Sequence, residues 1–154
     1  MAVVKEVATG HMPEAADEIR ERNEKASLEE QLIRFGERMM SVLTNDARPI
    51  AVYRMVVGEA GHSDVGQLFH ESGPAQLVDT IAALFAQAIE RGELRRGDPK
   101  ILALQFTSLL TAETSDRLYQ LEPAPVALAA VRRMVRRAVE TFLHGAAGRQ
   151  DAAE

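Results

Sequence analysis

Among the residues able to bind a metal ion, His62 has the most suggestive neighbours. Glu59 precedes it by three residues, so on a helix the two side chains would lie one turn apart on one face, and Asp64 follows closely. A metal site would need further ligands that converge on this pair. His62 also follows Gly61 at an expected helix end, which favours a surface or capping role. The hypothesis of a small helical enzyme that uses Glu59 with His62 depends on this pair.

Motifs of nucleophilic, nucleotide-binding or metal-dependent enzymes are absent from the sequence. It contains no Gly-x-Ser-x-Gly, P-loop, Gly-x-Gly-x-x-Gly, His-Glu-x-x-His or Ser-x-x-Lys pattern. The lack of cysteine excludes disulfides, zinc-thiolate sites, iron–sulfur clusters and a cysteine nucleophile. Acidic residues are numerous, but nothing singles out a catalytic pair. We therefore predict a protein that is not an enzyme and that needs no metal or cofactor.

One otherwise apolar helical stretch carries a cluster of short polar side chains. Their hydroxyl groups could bond back to carbonyls of their own helix, or they could line a ligand pocket or an interface. The sequence leaves these alternatives open. The cluster consists of Thr107, Ser108, Thr111, Glu113, Thr114 and Ser115.

The last predicted helix is both basic and amphipathic. Four arginines at positions 132, 133, 136 and 137 form two pairs at one-turn spacing, and apolar residues line another face. Such a helix can bind an anionic partner, but no aromatic residues interleave with the arginines for base stacking. Packing or subunit contact is the simpler interpretation, with an anionic ligand as the alternative. The apolar face consists of Leu128, Val131, Val135, Ala138 and Phe142.

Charge and hydropathy narrow the class of protein. The 154 residues carry a net charge of −5, the wrong sign for a domain whose main task is to bind nucleic acid. The longest apolar stretches are far shorter than the roughly 20 residues that a membrane-spanning helix needs. No apolar signal segment opens the sequence. We expect a cytoplasmic protein that has no membrane partner.

The elements that must position these groups are all predicted to be helical. Glycine and proline separate long stretches rich in Ala, Leu, Glu and Arg, and two-residue alternation is rare. The prediction is an all-α fold of six or seven helices in one domain, residues 1–145, with a polar tail at 146–154. The helices are expected near residues 2–24 (interrupted at Gly10 and Pro13), 27–45, 49–61, 65–71, 73–91, 98–119 and 123–143.

Local signals mark several helix ends. Ser27 and Glu30 match a capping box, and Asp98 before Pro99 is a further N-cap. Gly92 is placed just after a helix C-terminus, where glycine is favoured. The segment 49–61 could be a strand by composition, but it has no partner strand. We interpret it as a buried helix, because an isolated strand would leave its backbone groups unpaired.

Methionine and phenylalanine side chains fall mostly at core spacing. Core packing is the simple interpretation for Met39, Met40, Met55 and the phenylalanines. The alternative is a cavity that such side chains line, because they repack around varied apolar ligands.

The segment from Tyr53 to Leu110 carries an ordered set of features. Tyr53-Arg54 is followed by an apolar run and Glu59-Ala60, then by Leu68-Phe69, Gly73-Pro74-Ala75, Arg91-Gly92-Glu93-Leu94, Asp98-Pro99 and Gln105-Phe106. This set resembles the C-terminal ligand-binding and dimerisation domain of TetR-family transcriptional regulators, in particular the AefR-like branch. The flanking helices fit the same layout along the whole chain.

The resemblance implies a homodimer whose last two helices form a four-helix interface with their copies. The interface residues predicted from it are Leu104, Leu128, Val131, Val135, Ala138 and Phe142. It also implies a pocket between the earlier helices for a small apolar or amphipathic effector. Pocket residues vary across the family, so we place them by side-chain character. The predicted walls are Phe35, Met39, Tyr53, Phe85, Phe106 and Leu109, with Glu113 or Thr107 as a polar anchor.

The sequence departs from the resembled family at its N-terminus. The family reads DNA through an N-terminal helix-turn-helix, and this chain has none; Ala2 to Val7 resembles the helix that follows it. We expect no operator binding by the chain as given, and DNA contact only through a helix-turn-helix not present here. The favoured hypothesis is the effector-binding half of a probable repressor, in which ligand shifts the population of dimer geometries. A standalone helical dimerisation or interaction module is the alternative.

Overall fold

A computed structural model describes residues 26–146. Within this range the chain forms six α-helices and one 3-10 helix, with no strand, which confirms the predicted all-α fold. The predicted helix at residues 2–24 lies outside the described residues, as does the predicted tail except Ala146. The elements are α1 (Leu28–Asn45), α2 (Ala47–Glu59), α3 (Val65–Ser72), α4 (Pro74–Glu90), α5 (Pro99–Thr111), the 3-10 helix (Ala112–Tyr119) and α6 (Leu128–Ala146).

The helix ends follow the local signals in the sequence. Ser27 Oγ accepts a hydrogen bond from the Glu30 amide at 3.2 Å, and Glu30 Oε2 accepts one from the Ser27 amide at 3.0 Å, which completes the capping box. Asp98 caps α5 through the Lys100 amide at 2.8 Å. Gly92 follows α4 with φ +74°, a conformation that a glycine adopts without steric cost. Caps of this kind stabilise a helix by roughly 1 kcal/mol each.

A single residue separates α1 from α2. Asp46 ends α1, where its amide donates to the Val42 carbonyl at 3.1 Å. Its side chain then caps α2 by accepting from the Arg48 amide at 2.9 Å. The two helices therefore follow one another with only this residue between them.

Helix α2 is less buried than the sequence predicted. The segment is helical as expected, but only Val52 and Val56 are buried. Met55 and Val57 are 46% and 56% exposed, so the prediction of a buried helix is wrong. The reason is that a narrow stripe of α2 packs on α3, where the two valines form a small cluster with Val65 and Phe69 apart from the main core.

The main core lies between α1, α4, α5 and α6. Each of these helices contributes one phenylalanine, and the four rings contact one another: Phe35, Phe85, Phe106 and Phe142. Their centroids lie 5.0 to 6.1 Å apart, within the range at which aromatic pairs attract. This cluster holds the helices that surround the cavity described below.

Close approach of α1 and α6 depends on a glycine. A Cβ at Gly36 would lie 2.6 Å from Val135 Cγ1 and 2.9 Å from Leu110 Cδ2. Both distances are shorter than van der Waals contact, so only glycine fits at this crossing. Among the described residues, no helix has the length and apolar character needed to span a membrane.

Candidate functional site

A cavity of about 530 Å³ lies between the first five helices and the 3-10 helix. Its apolar wall comes from α1 to α4 and includes Met39, Val42, Ile50, Phe69, Leu77 and Val78. Its size is within the range of small-molecule sites. The arrangement is therefore an apolar chamber whose remaining side is polar.

The polar side of the cavity is the hydroxyl cluster identified in the sequence. Thr107 Oγ1 donates to the Ala103 carbonyl at 3.1 Å, and Thr111 Oγ1 donates to the Thr107 carbonyl at 3.2 Å. Thr114 and Ser115 make equivalent bonds, to Thr111 and Ala112, each at 3.1 Å. All four residues also line the cavity. The two alternatives for this cluster, bonds to its own helix and a pocket wall, thus occur together.

Arg117 of the 3-10 helix closes one part of the cavity. Its Nη1 donates to the Ala124 carbonyl at 2.7 Å and its Nη2 to the Thr44 carbonyl at 3.1 Å. Its Nε is buried and has no hydrogen-bond partner among the described residues. A guanidinium bonded to neutral carbonyls keeps its full charge beside the cavity.

Arg54 of α2 holds the end of the same 3-10 helix. Its Nε donates to the Leu118 carbonyl at 2.8 Å and its Nη2 to the Arg117 carbonyl at 2.8 Å. It also donates to the Gln120 carbonyl. These carbonyls lie at the C-terminal end of the 3-10 helix, where carbonyls commonly lack a partner in the helix, although the Arg117 carbonyl also accepts the Gln120 amide at 3.3 Å. Arg54 therefore fixes the 3-10 helix against α2.

The residues predicted to bind a ligand lie in three places. Met39, Tyr53 and Thr107 line the cavity. The rings of Phe35, Phe85 and Phe106 fill the core instead and have no exposed surface. Residue type does not separate these cases, because a phenylalanine suits a packed core and a cavity wall equally well.

Leu109 and Glu113 lie on other surfaces. Leu109 borders a groove between α5 and α6. Glu113 Oε1 accepts a hydrogen bond from Arg137 Nε at 2.8 Å, which joins the 3-10 helix to α6. The hydrogen bond from Arg137 lowers the pKa of Glu113 below its ordinary value, and the same bond raises the pKa of Arg137. Glu113 is thus positioned to link helices rather than to line the chamber.

The apolar face of α6 corrects the predicted dimer interface. Val131, Val135, Ala138 and Phe142 are buried in the main core of the protomer itself. The stripe was identified correctly as apolar, but α1 and α5 already cover it. Leu104 and Leu128, the other two predicted interface residues, are 43% and 51% exposed.

Within residues 26–146, no third metal ligand accompanies the pair Glu59 and His62. The structure shows no group of three or more His, Asp or Glu side chains able to hold a metal ion within residues 26–146. The Glu59 carbonyl accepts the His62 amide at 2.8 Å, so this segment forms the turn that ends α2.

Arg117 is a charged cavity residue that the sequence analysis did not single out. It lies in a stretch predicted to continue an α-helix to Tyr119, whereas the chain tightens into the 3-10 helix after Thr111. The two windings place side chains differently around the axis, with 3.6 and 3.0 residues per turn. The one available signal was an arginine among short polar residues.

The fold is that of the C-terminal domain of a family of transcriptional regulators. Residues 30–145 match the family model described as the AefR-like transcriptional repressor, C-terminal domain, and the chain belongs to this TetR family. No protein of curated function matches the chain in sequence.

Two solved structures share the fold. One is a TetR-family transcriptional regulator from Mesorhizobium loti, with a TM-score of 0.82 and 20% identity, covering 94% of this chain and 72% of that one. The other is the flavonoid-responsive regulator FrrA, with a TM-score of 0.71 and 24% identity, covering 92% of this chain and 74% of that one.

Proposed function

We propose that this chain is the effector-binding and homodimerisation domain of a TetR-type repressor, with the cavity as the effector site. The observation that carries the proposal is an apolar chamber of about 530 Å³ with hydroxyl groups along one side. Such a chamber suits a small apolar or amphipathic molecule. DNA recognition would belong to a helix-turn-helix outside residues 30–145. FrrA, a protein of the same fold, is described as flavonoid-responsive, which supports a small-molecule role.

The 3-10 helix is the element through which an effector would act. It supplies part of the cavity wall, and its Glu113 is bonded to Arg137 of α6. Its Arg117 is bonded to the end of α1 at Thr44. An effector that binds one arrangement of this helix more tightly than another would shift the population of both neighbours. A molecule with equal affinity for both arrangements would change nothing.

The proposed dimer surface is the exposed side of α5 with the adjoining edge of α6. Leu104, Gln105, Leu109 and Thr141 border a groove there. Leu104 and Ile101 are large apolar side chains that are half exposed on α5. Exposed apolar side chains grouped on one surface are typical of a protein contact site.

The effector site is tested with the neutral fluorescent dye Nile red and a variant that fills the cavity. Ile50→Trp places a larger side chain in the apolar wall, so the affinity for the dye should fall by roughly tenfold or more. Val57→Trp is the matched control, because Val57 is exposed on the same helix and does not line the cavity. Equal dye binding by both variants and the parent chain would remove the cavity as the site.

The dimer surface is tested by sedimentation velocity. Leu104→Glu places a charge in the α5–α6 groove and should weaken self-association, whereas Val57→Glu on α2 should not. A parent chain that remains monomeric at high micromolar concentration would contradict the dimer proposal.

A standalone dimerisation module is the second candidate, because the exposed α5 surface does not depend on the cavity. Co-expression with a differently tagged full-length TetR-type relative separates the two. Mixed dimers favour the interaction module, and homodimers alone favour the effector domain.

A further inference from the structure

The charged group that lines the cavity near the 3-10 helix is cationic. Among the described residues of the lining, Arg117 carries a positive charge and none is an aspartate or glutamate. Arg117 forms no ion pair within the described part of the chain and donates only to main-chain carbonyls. A partly buried cation without a counter-charge costs free energy, which an anion beside it would offset.

A second arginine adds to this imbalance. Arg54 is also partly buried, and its described bonds all go to main-chain carbonyls at the end of the 3-10 helix. Carbonyl dipoles satisfy the N–H groups but leave the positive charge in place. Neither nearby carboxylate lines the cavity: Glu113 is paired with Arg137, and Asp116 accepts a hydrogen bond from the side-chain amide of Gln120. The charged side chain that lines this end of the chamber is therefore the cationic Arg117.

The hydroxyl groups that line the cavity favour a different kind of ligand group from the one that Arg117 favours. The hydroxyl protons of Thr107, Thr111, Thr114 and Ser115 are donated to carbonyls of their own helix. What these groups present to the cavity is oxygen lone pairs and, for threonine, methyl groups. Lone pairs repel a carboxylate, so an anionic group is disfavoured beside these four hydroxyls and favoured at Arg117.

We infer that the effector is an amphipathic carboxylate: its acid group lies at the Arg117 end of the cavity and its apolar body lies against Met39, Val42 and Leu77. This inference rests on the proposed function, since it assigns a ligand class to the same cavity. The cationic end supplies the charge recognition, and the apolar wall supplies the contact area.

The test compares two probes of nearly equal shape, octanoate and octanamide, as competitors of Nile red at neutral pH. The acid is ionised and the amide is neutral under these conditions. Octanoate should bind about tenfold more tightly or better, because only the acid carries a negative charge that offsets the charge of Arg117.

Variants at Arg117 assign the preference to that residue. Arg117→Met should reduce the octanoate preference to within about threefold, and Arg117→Lys, which keeps the charge, should retain most of it. Arg96→Met is the matched control, since it removes the same charge from an exposed position outside the cavity. If Arg117→Met does not fold, the parent chain and the lysine variant still give the comparison.

The outcomes separate this inference from the proposed function. Equal affinity for the two probes, or dye binding in the cavity that neither probe displaces, overturns the inference and leaves an effector site. A preference that survives Arg117→Met also overturns it. Absence of cavity-dependent dye binding contradicts the proposed function itself.

Discussion

The side chain of Arg54 and the main chain of Leu118 are joined across 64 positions of sequence by a hydrogen bond of 2.8 Å. The bond connects α2, half exposed on the outside of the molecule, to the last turn of the 3-10 helix. Arg54 also donates to the Arg117 and Gln120 carbonyls, and these bonds hold the C-terminal end of the 3-10 helix against α2. The position of the cavity wall thus depends on a residue that does not line the cavity.

Replacement of Arg54 should destabilise the protein. Arg54→Met removes the donors to three carbonyls while keeping an apolar stem, and it should lower the free energy of unfolding by roughly 1.5–3 kcal/mol. Urea denaturation followed by circular dichroism measures this. Arg96→Met, at an exposed position, is the control and should be nearly neutral. A loss as small as that of the control would show that water replaces the three bonds at no cost.

The Glu113–Arg137 pair should make a pH-dependent contribution to stability. The folded pKa of Glu113 is below its ordinary value of 4.5, so the contribution is fully present above that value. It is lost as the pH falls through the lowered pKa. The pair is exposed, so the effect should be small and should weaken in high salt. The measurement is the stability difference between the parent chain and Glu113→Gln at neutral and at acid pH. A difference that stays constant across this range would contradict the assignment.

Gly36 and Gly58 should respond to alanine in opposite directions. At Gly36 the added Cβ would meet Val135 and Leu110 too closely, so Gly36→Ala should destabilise by about 1–3 kcal/mol. At Gly58, also helical, nothing lies within 4 Å, so Gly58→Ala should stabilise by roughly 0.5–1 kcal/mol. Thermal denaturation of the two variants measures both. Combining Gly36→Ala with Val135→Ala should cost less than the sum of the single changes.

Phe106 should matter for stability and not for ligand binding. Its ring contacts the rings of Phe35, Phe85 and Phe142 and does not line the cavity. Phe106→Leu should therefore lower the free energy of unfolding by about 1–3 kcal/mol. Affinity for Nile red should stay within about twofold of the parent chain at temperatures where the variant is folded. A selective loss of dye affinity would contradict this prediction and would support the assignment of Phe106 to the ligand site that was made from residue type alone.

Local signals in the sequence predicted the starts of α1 and α5 and the end of α4. Ser27 with Glu30, Gly92 and Asp98 act on backbone groups within a few residues, so they need no knowledge of the rest of the fold. The amphipathic stripe of α6 was equally readable, because helical spacing alone defines it.

The sequence did not show which element of the structure packs against each apolar stripe. Val131 and Val135 looked the same in sequence whether α1 or a second subunit covered them, and the structure shows that α1 does so at Gly36. The sequence analysis did not predict the exposure of α2 or the cavity role of Arg117, for the same reason. Both depend on which elements meet in space.

The eight residues of the 3-10 helix are longer in this winding than they would be as an α-helix. At a rise of about 2.0 Å per residue they span roughly 4 Å more than they would at the 1.5 Å of an α-helix. A change of this segment from 3-10 to α-helical winding would shorten it and bring Gln120 and the chain beyond it closer to α5. The side chains of Arg54 and Arg117 make hydrogen bonds at the C-terminal end of this helix. A change in the length of the helix therefore requires both arginines to exchange their carbonyl partners.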